Sequence, residues 1–166
     1  MKATEQQSIF DAWMRDYAGI LHHVANAFAT GADRHDLMQE LMLAVWRAIP
    51  AFRSASLPST FIYRVTHNAA LSWKRAERGY RNRLDAAHEL HSDPHPEPSG
   101  TDERLELLYS AIRELDPLDR SLVLLQLDGV SYAQIAEIHG LTETNVGVRL
   151  NRIKHKLTAT IQEKTS

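Results

Sequence analysis

The chain contains no cysteine. That excludes a disulfide framework, a Cys-ligated zinc site and thiol catalysis. Long apolar runs are missing as well: nothing approaches the ~20 residues needed to span a bilayer. The opening MKATEQQSIF has no apolar run behind a basic start, so it is not read as a secretory signal and a cytoplasmic location is expected. No strand-like alternation, β-hairpin turn, internal repeat, phosphate-binding Gly loop, paired-carboxylate motif or Ser/His/Asp constellation stands out, and an enzyme is not expected. An excess of one charge is also lacking: 19 Lys+Arg stand against 21 Asp+Glu, a formal net charge of −2. Taken alone, that balance argues against a simple polycationic nucleic-acid binder. What remains is 166 residues, 43% hydrophobic and 24% charged, the make-up of a globular protein of one compact domain or two small ones.

The near-neutral total conceals a segregation. Arg64, Lys74, Arg75, Arg78, Arg81 and Arg83 face only Glu77 within residues 64–83. Residues 85–103 then hold Asp85, Glu89, Asp93, Glu97, Asp102 and Glu103 with no Lys or Arg. A second basic block, with Arg149, Arg152, Lys154, Lys156 and Lys164 against Glu163, closes the chain. The acidic stretch also carries Pro94, Pro96, Pro98 and Gly100, which forbid a helix and favour extended chain. It reads as a flexible linker over 85–103 between domains at 1–84 and 104–166.

Outside the linker the chain reads as helix. Ser8 and Asp11 offer a helix start, followed by Trp13, Tyr17, Ile20, Leu21, Val24 and Phe28 at helical spacing, with Gly31 as the stop. A second helix is expected from about Asp36 to Ile49, with Leu37, Leu41, Ala44, Val45 and Ala48 inward and Pro50 as terminator. Residues 53–59 read as a loop. Thr60 is expected to cap a third helix with Phe61, Ile62, Val65, Ala69 and Trp73 as its apolar stripe. Beyond the linker, Leu105, Leu108, Ile112 and Leu115 mark a fourth helix. Asp116 and Pro117 open a fifth, with Leu118, Leu122 and Leu125 inside.

The most informative segment is 131–157, SYAQIAEIHGLTETNVGVRLNRIKHKL. Ser131 to Gln134 forms a capping box, Gly140 supplies a C′ turn, and Thr142 caps a last helix running to about Ile161: a helix-turn-helix. Projected at 100° per residue, Val146, Leu150, Ile153 and Leu157 fall on an inner stripe. Thr144, Val148, Asn151 and His155 lie opposite, flanked by Asn145, Arg149, Arg152 and Lys156 on one side and Gly147 and Lys154 on the other. Such a face suits a major groove, with side chains on base edges and cations on phosphates. It also suits an amphipathic hairpin with a solvated basic face. The earlier block interleaves cations with Trp73 and Tyr80, a pattern fit to stack and follow single-stranded nucleic acid and equally fit to end a helix favourably.

Both halves together resemble the extracytoplasmic-function sigma factors of bacterial RNA polymerase. HDLMQELMLAVWRAIPAF (35–52) followed by STFIYRVTHNAALSWKR (59–75) carries the first half of the likeness, through Asp36, Leu37, Gln39, Glu40, Trp46, Phe52, Thr60, Phe61, Tyr63, Arg64 and Asn68. Residues 115–157 carry the second. The resemblance implies an all-α fold of two small domains, and no cofactor or metal. It implies docking on the β′ and β subunits of core polymerase, with Asp33, Asp36, Gln39 and Glu40 facing a β′ coiled coil. It implies reading and melting of the minus-ten element by Ser54, Ser56, Leu57, Ser59, Thr60, Phe61, Arg64, His67, Asn68, Lys74 and Arg75. The minus-thirty-five element would be read by Tyr132, Thr142, Thr144, Asn145, Val148, Arg149, Asn151, Arg152 and Lys156. Promoter DNA and an anti-sigma factor are the implied partners, with no membrane insertion and no added sensory domain. Three positions depart from the pattern. His35 stands where the family often has an acid before Asp36, which leaves the docking surface less negative. Gly147 stands where the family often has a cation and costs roughly 1 kcal/mol of helix propensity. Val148 stands where it often has Ser, and offers only an apolar contact such as a thymine methyl.

Two other readings fit less of the sequence. His88, His91 and His95 have ligand-like spacing but run into Pro94 and Pro96, which no helix accommodates. A one-component helix-turn-helix regulator, with residues 1–90 as an effector or dimerisation bundle, has no reason to carry the DLMQE and FIYRVTHN helices. The linker is expected to leave the two domains unoriented in the free protein, which then binds promoter DNA poorly.

Overall fold

The computed structural model describes residues 1–85 and 102–166, with side chains placed for 1–80 and 102–166. The interior of the acidic linker, including His88, His91 and His95, lies outside the described residues. All regular structure among the described residues is helical: α1 (Ala3–Phe28), α2 (Gly31–Ala48), a short 3-10 turn (Ile49–Ala51), α3 (Pro58–Asp85), α4 (Glu103–Arg113), α5 (Pro117–Leu127), α6 (Tyr132–His139) and α7 (Glu143–Thr165).

The first three helices pack on one another around Leu21, Val24, Phe28, Leu37, Leu41, Val45, Ile49 and Ile62, all essentially without exposure. Trp13, Phe52 and Phe61 close the end of this bundle. Their ring centroids lie 5.2 Å (Trp13–Phe52) and 5.1 Å (Phe52–Phe61) apart, in edge and tilted geometries that aromatic quadrupoles favour. The last four helices gather around Ile112, Leu122, Leu125, Ile135, Val146, Leu150 and Ile153, also fully buried. The inner stripes expected of α2 and α7 are therefore the ones observed, with Ala44 and Ala48 only half-buried.

Helix ends differ from expectation where the signal was local. α1 begins at Ala3, so Ser8 sits inside it, and α2 begins at Gly31, which adopts φ +58° as the first helical residue instead of ending α1. α3 begins at Pro58, with the Phe61 N–H bonding the Leu57 carbonyl at 3.2 Å. Ser59 and Thr60 are therefore first-turn residues rather than loop and cap. Pro58 at the first helical position carries no N–H to leave unsatisfied, which explains the earlier start. Asp116 precedes Pro117 as expected but makes no side-chain cap bond, and Leu118 is half-buried. Asp102 caps α4 by accepting from the Arg104 N–H at 3.1 Å, so the outer residues of the expected linker, Asp85 and Asp102–Glu103, belong to helices or their caps.

The two halves are not unoriented. α1 contacts α4 and α5, and α3 contacts α5 and α6. The Arg113 guanidinium donates to the Asn26 carbonyl at 2.7 Å, and that of Arg120 sits 5.7 Å over the Phe28 ring. A single apolar core runs through both halves.

Candidate nucleic-acid interface

The α6–α7 pair is built as the sequence leads one to expect. Ser131 Oγ accepts from the Gln134 N–H at 3.2 Å, and the Gln134 side chain accepts from the Ser131 N–H at 3.4 Å. Gly140 adopts φ +65°, open to glycine without a Cβ penalty, and the Leu141 N–H closes on the Ala136 carbonyl at 2.9 Å. Thr142 Oγ1 accepts from the Asn145 N–H at 3.1 Å, starting α7. With Val146, Leu150, Ile153 and Leu157 turned inward, Thr144, Val148, Asn151, Arg152, Lys154, His155 and Lys156 are exposed along one continuous face. Val148 is 63% exposed, and Tyr132 lies beside Gly147, where an added Cβ would meet its ring at 3.5 Å.

Arg149 departs from the free phosphate-reaching cation expected of it. Its Nε donates to Asn145 Oδ1 at 3.0 Å and its Nη1 to Asp119 Oδ1 at 3.4 Å, the Asp119 carboxylate being buried at the α5 N-terminus. A guanidinium held at two points is oriented by the protein in the free chain.

On α2, Asp36, Gln39 and Glu40 are exposed one turn apart on the side opposite Leu37 and Leu41, and Asp33 is exposed one turn before them. Gln39 also borders an apolar groove between α1 and α2 lined by Phe10, Met42, Leu43 and Trp46.

The residues expected to read single-stranded DNA are divided. Ser54, Ser56 and Leu57 stand exposed in the loop before α3, with Ser54 at φ +56° and Leu57 69% exposed. Asn68 and Arg75 are exposed on α3, Lys74 is half-buried beside Glu77, and Phe61 is committed to the aromatic cluster. His67 is a correction. Its ring is fully buried, not on a surface. His67 Nδ1 lies 2.7 Å from Ser121 Oγ, which lies 2.7 Å from His139 Nε2. A serine hydroxyl has one proton, so one neutral ring donates to it and the other accepts from it. Burial, with His139 adding to it, pushes the His67 pKa down to about 3, and burial lowers that of His139 too. Neighbouring contacts join the same seam. Arg64 meets Glu137 at 3.1 Å, and His23 meets Asp128 at 3.1 Å. Burial, then the Asp128 carboxylate, pushes the Tyr63 hydroxyl up to about 12.

Residues 9–80 match the family model of Sigma-70 region 2, and residues 105–157 match that of Sigma-70 region 4. The chain belongs to the sigma-70 family. Its relatives place it in the extracytoplasmic-function group. The ECF RNA polymerase sigma factor SigE of Mycolicibacterium smegmatis is 30% identical over 93% of this chain, which spans 63% of that protein's length. The RNA polymerase sigma factor YlaC of Bacillus subtilis is 24% identical over 92% of this chain and 91% of its own. The sigma factor RpoE of Bartonella quintana, solved in complex with the anti-sigma factor NepR, shares the fold with a TM-score of 0.73 at 20% identity, over 92% of this chain and 96% of that one.

In sigma-70 terms, the region 2 match takes in α1, α2 and α3 to Tyr80, and the region 4 match takes in α4 to the middle of α7. The polar residues joining these regions, Ser121, Asp128, Glu137 and His139, were not legible as a group. The one hint lay in α5, where Asp119, Arg120 and Ser121 interrupt a Leu-rich helix and all three are buried. A helix apolar on nearly every side is one enclosed on nearly every side. No helix among the described residues is long and apolar enough to cross a membrane, and none of their His, Asp or Glu residues cluster as a metal site.

Proposed function

We propose that the chain is the promoter-recognition subunit of an RNA polymerase holoenzyme: it binds core polymerase in the cytoplasm, brings it to particular promoters and assists strand opening, without catalysing a reaction itself. The observation that carries this reading is the pairing of a capped helix-turn-helix, whose exposed face is polar and basic, with a region 2 bundle whose α2 surface is acidic. The α2 surface of Asp33, Asp36, Gln39 and Glu40 is assigned to the β′ subunit. The 53–57 loop and α3 are assigned to the minus-ten element, and α7 with Tyr132 to the minus-thirty-five element. In this assignment Thr144, Val148 and Asn151 meet base edges, Arg152 and Lys156 meet phosphates, and Arg149 orients Asn145. The acidic linker is assigned to the nucleic-acid channel of the polymerase. An anti-sigma factor is the expected inhibitor, supported by the complex in which the Bartonella quintana relative was solved.

The test is run-off transcription from genomic fragments with core polymerase and the purified chain. Transcripts should start downstream of a shared pair of sequence elements. A protein that binds duplex DNA as a dimer without core, and yields no transcript, would return the chain to the one-component regulator reading.

A further inference from the structure

We propose that the cavity where the α1–α2 turn meets α3, α4 and α5 binds a phosphoryl group, as free phosphate or as a small phosphate monoester, with Arg120 as its central ligand. The proposal is independent of the promoter-recognition reading, because it rests on a charge that the fold leaves uncompensated.

Arg120 lies on α5 and is only 7% exposed. Its Nε donates to the Leu115 carbonyl at 2.8 Å, and its guanidinium sits 5.7 Å over the Phe28 ring. Neither partner carries a negative charge. Among the described residues, the two Nη groups of Arg120 have no hydrogen bond or ion pair. Buried charges are normally paired, because a lone one has given up water for nothing of equal worth. Burial, then the neighbouring Arg78, lowers the Arg120 pKa, as a charge short of compensation requires. The other cations nearby differ. Arg113 donates to the Asn26 carbonyl and to Glu106, each at 2.7 Å, and Lys74 meets Glu77 at 3.4 Å. An anion is the partner that Arg120 lacks.

Room for one exists. A cavity of about 160 Å3 is bordered by Thr30, Trp73, Lys74, Arg113 and Arg120. Thr30 is the N-cap of α2, and its exposed side chain makes no cap bond. The positive end of the α2 dipole therefore opens beside Arg120 with no hydroxyl in the capping position. Asp33 and Glu77 also line the wall and carry the wrong sign for an anion. The ligand must then be one that a guanidinium holds by geometry as well as by charge. A phosphoryl group does so, its oxygens matching the Nη fork two at a time. A carboxylate matches the fork but carries a single charge. Size narrows the class further. The cavity suits one tetrahedral oxyanion, with the organic part of a monoester outside its mouth. A phosphodiester would have to bring two substituents into the same space, so a nucleic-acid backbone is a poor occupant.

Isothermal titration of the full chain with inorganic phosphate tests the site, at fixed ionic strength and with chloride and acetate as controls. One saturable site with a dissociation constant of about 1 mM or tighter is expected. Competition by adenosine monophosphate assigns the site to phosphate monoesters, and phosphate binding without that competition assigns it to free phosphate. Arg120→Gln should weaken phosphate binding about tenfold, the scale of one charge-assisted hydrogen bond. That variant also loses the bond to Leu115, so circular dichroism accompanies it. Lys74→Gln leaves Arg120 in place and should weaken binding about threefold. No saturable binding by the unaltered chain overturns the proposal, as does equal binding by both variants. Acetate bound as tightly as phosphate overturns it too.

Discussion

The outer face of α7 and the inner face of α3 are both assigned to DNA, yet they are built on opposite terms. The α7 face is open from Thr144 to Lys156 apart from half-buried Gly147 and Arg149, and the helix is held by its inner stripe with the Arg149–Asp119 and Lys164–Glu114 pairs. The α3 side is partly covered: His67 is buried on Ser121 and Arg64 is paired with Glu137, while Asn68 and Arg75 stay exposed. A duplex element is available without preparation, so a preformed surface suits it. A single strand exists only after melting, so part of its assigned reader, His67 and Arg64, can be engaged elsewhere in the free chain. The contrast explains why a near-neutral chain with two basic blocks need not bind DNA indiscriminately.

The sharpest way to break the comparison is to remove the support of α7 alone. Leu150→Ala empties a fully buried site and should cost about 2–5 kcal/mol. Because the core is continuous through both halves, denaturant should reveal one shifted transition; an unshifted first-half transition would mean that the halves are thermodynamically separate. Next in size is acid. His67 is held neutral with a pKa of about 3 and His139 is also lowered, so opening raises both toward the ordinary 6.5. The stability of the closed form should be complete above pH 6.5 and fall as pH drops toward 3, with a limiting slope of about 1.4 kcal/mol per pH unit for each histidine. Denaturation midpoints across that window check the slope, and a flat profile would contradict the buried neutral pair.

The α2 surface assigned to docking should respond more modestly. Asp36→Arg or Glu40→Arg reverses an exposed charge, and core affinity should fall about tenfold, near 1.4 kcal/mol, with helicity intact. Titration of labelled chain with core measures this. On α7, Arg152→Ala should lower promoter affinity a few-fold and reduce the salt slope by about 1. Arg149→Ala should lower affinity with little change in slope, because its guanidinium already serves Asp119 and Asn145. Equal slopes for the two variants would place Arg149 on phosphate after all. Smallest of all, the double-mutant coupling of Arg64→Ala with Glu137→Ala should stay below about 1 kcal/mol, as for other exposed pairs.

The helices, their inner stripes and the capped turn at Gly140 were readable because periodicity and caps act over a few residues. Val146, Leu150, Ile153 and Leu157 all lie inside as their spacing requires. Helix starts at Ala3, Gly31 and Pro58 were not readable, since several polar residues near each offer equivalent caps. The seam was the least legible part. His67 and Ser121 are 54 positions apart, and nothing local to either marks the other as its partner. Placing His67 with Arg64 and Asn68 suggests a surface residue, but Asn68, one position on, faces away, while Arg64, three positions back, shares the side turned to the second half. Arg149 illustrates the same limit, its carboxylate lying 30 positions earlier.

The distance between α3 and α7 separates the closed chain from one spanning both promoter elements. Single cysteines introduced on exposed α3 and α7 positions of this cysteine-free chain can carry a fluorescent donor and acceptor. Energy transfer should be high in the free chain, since α3 and α7 both adjoin α6. With core polymerase and a promoter bearing both elements it should collapse, as the helices move toward a separation of about 85 Å. Transfer that stays high in a complex competent for initiation would contradict the account.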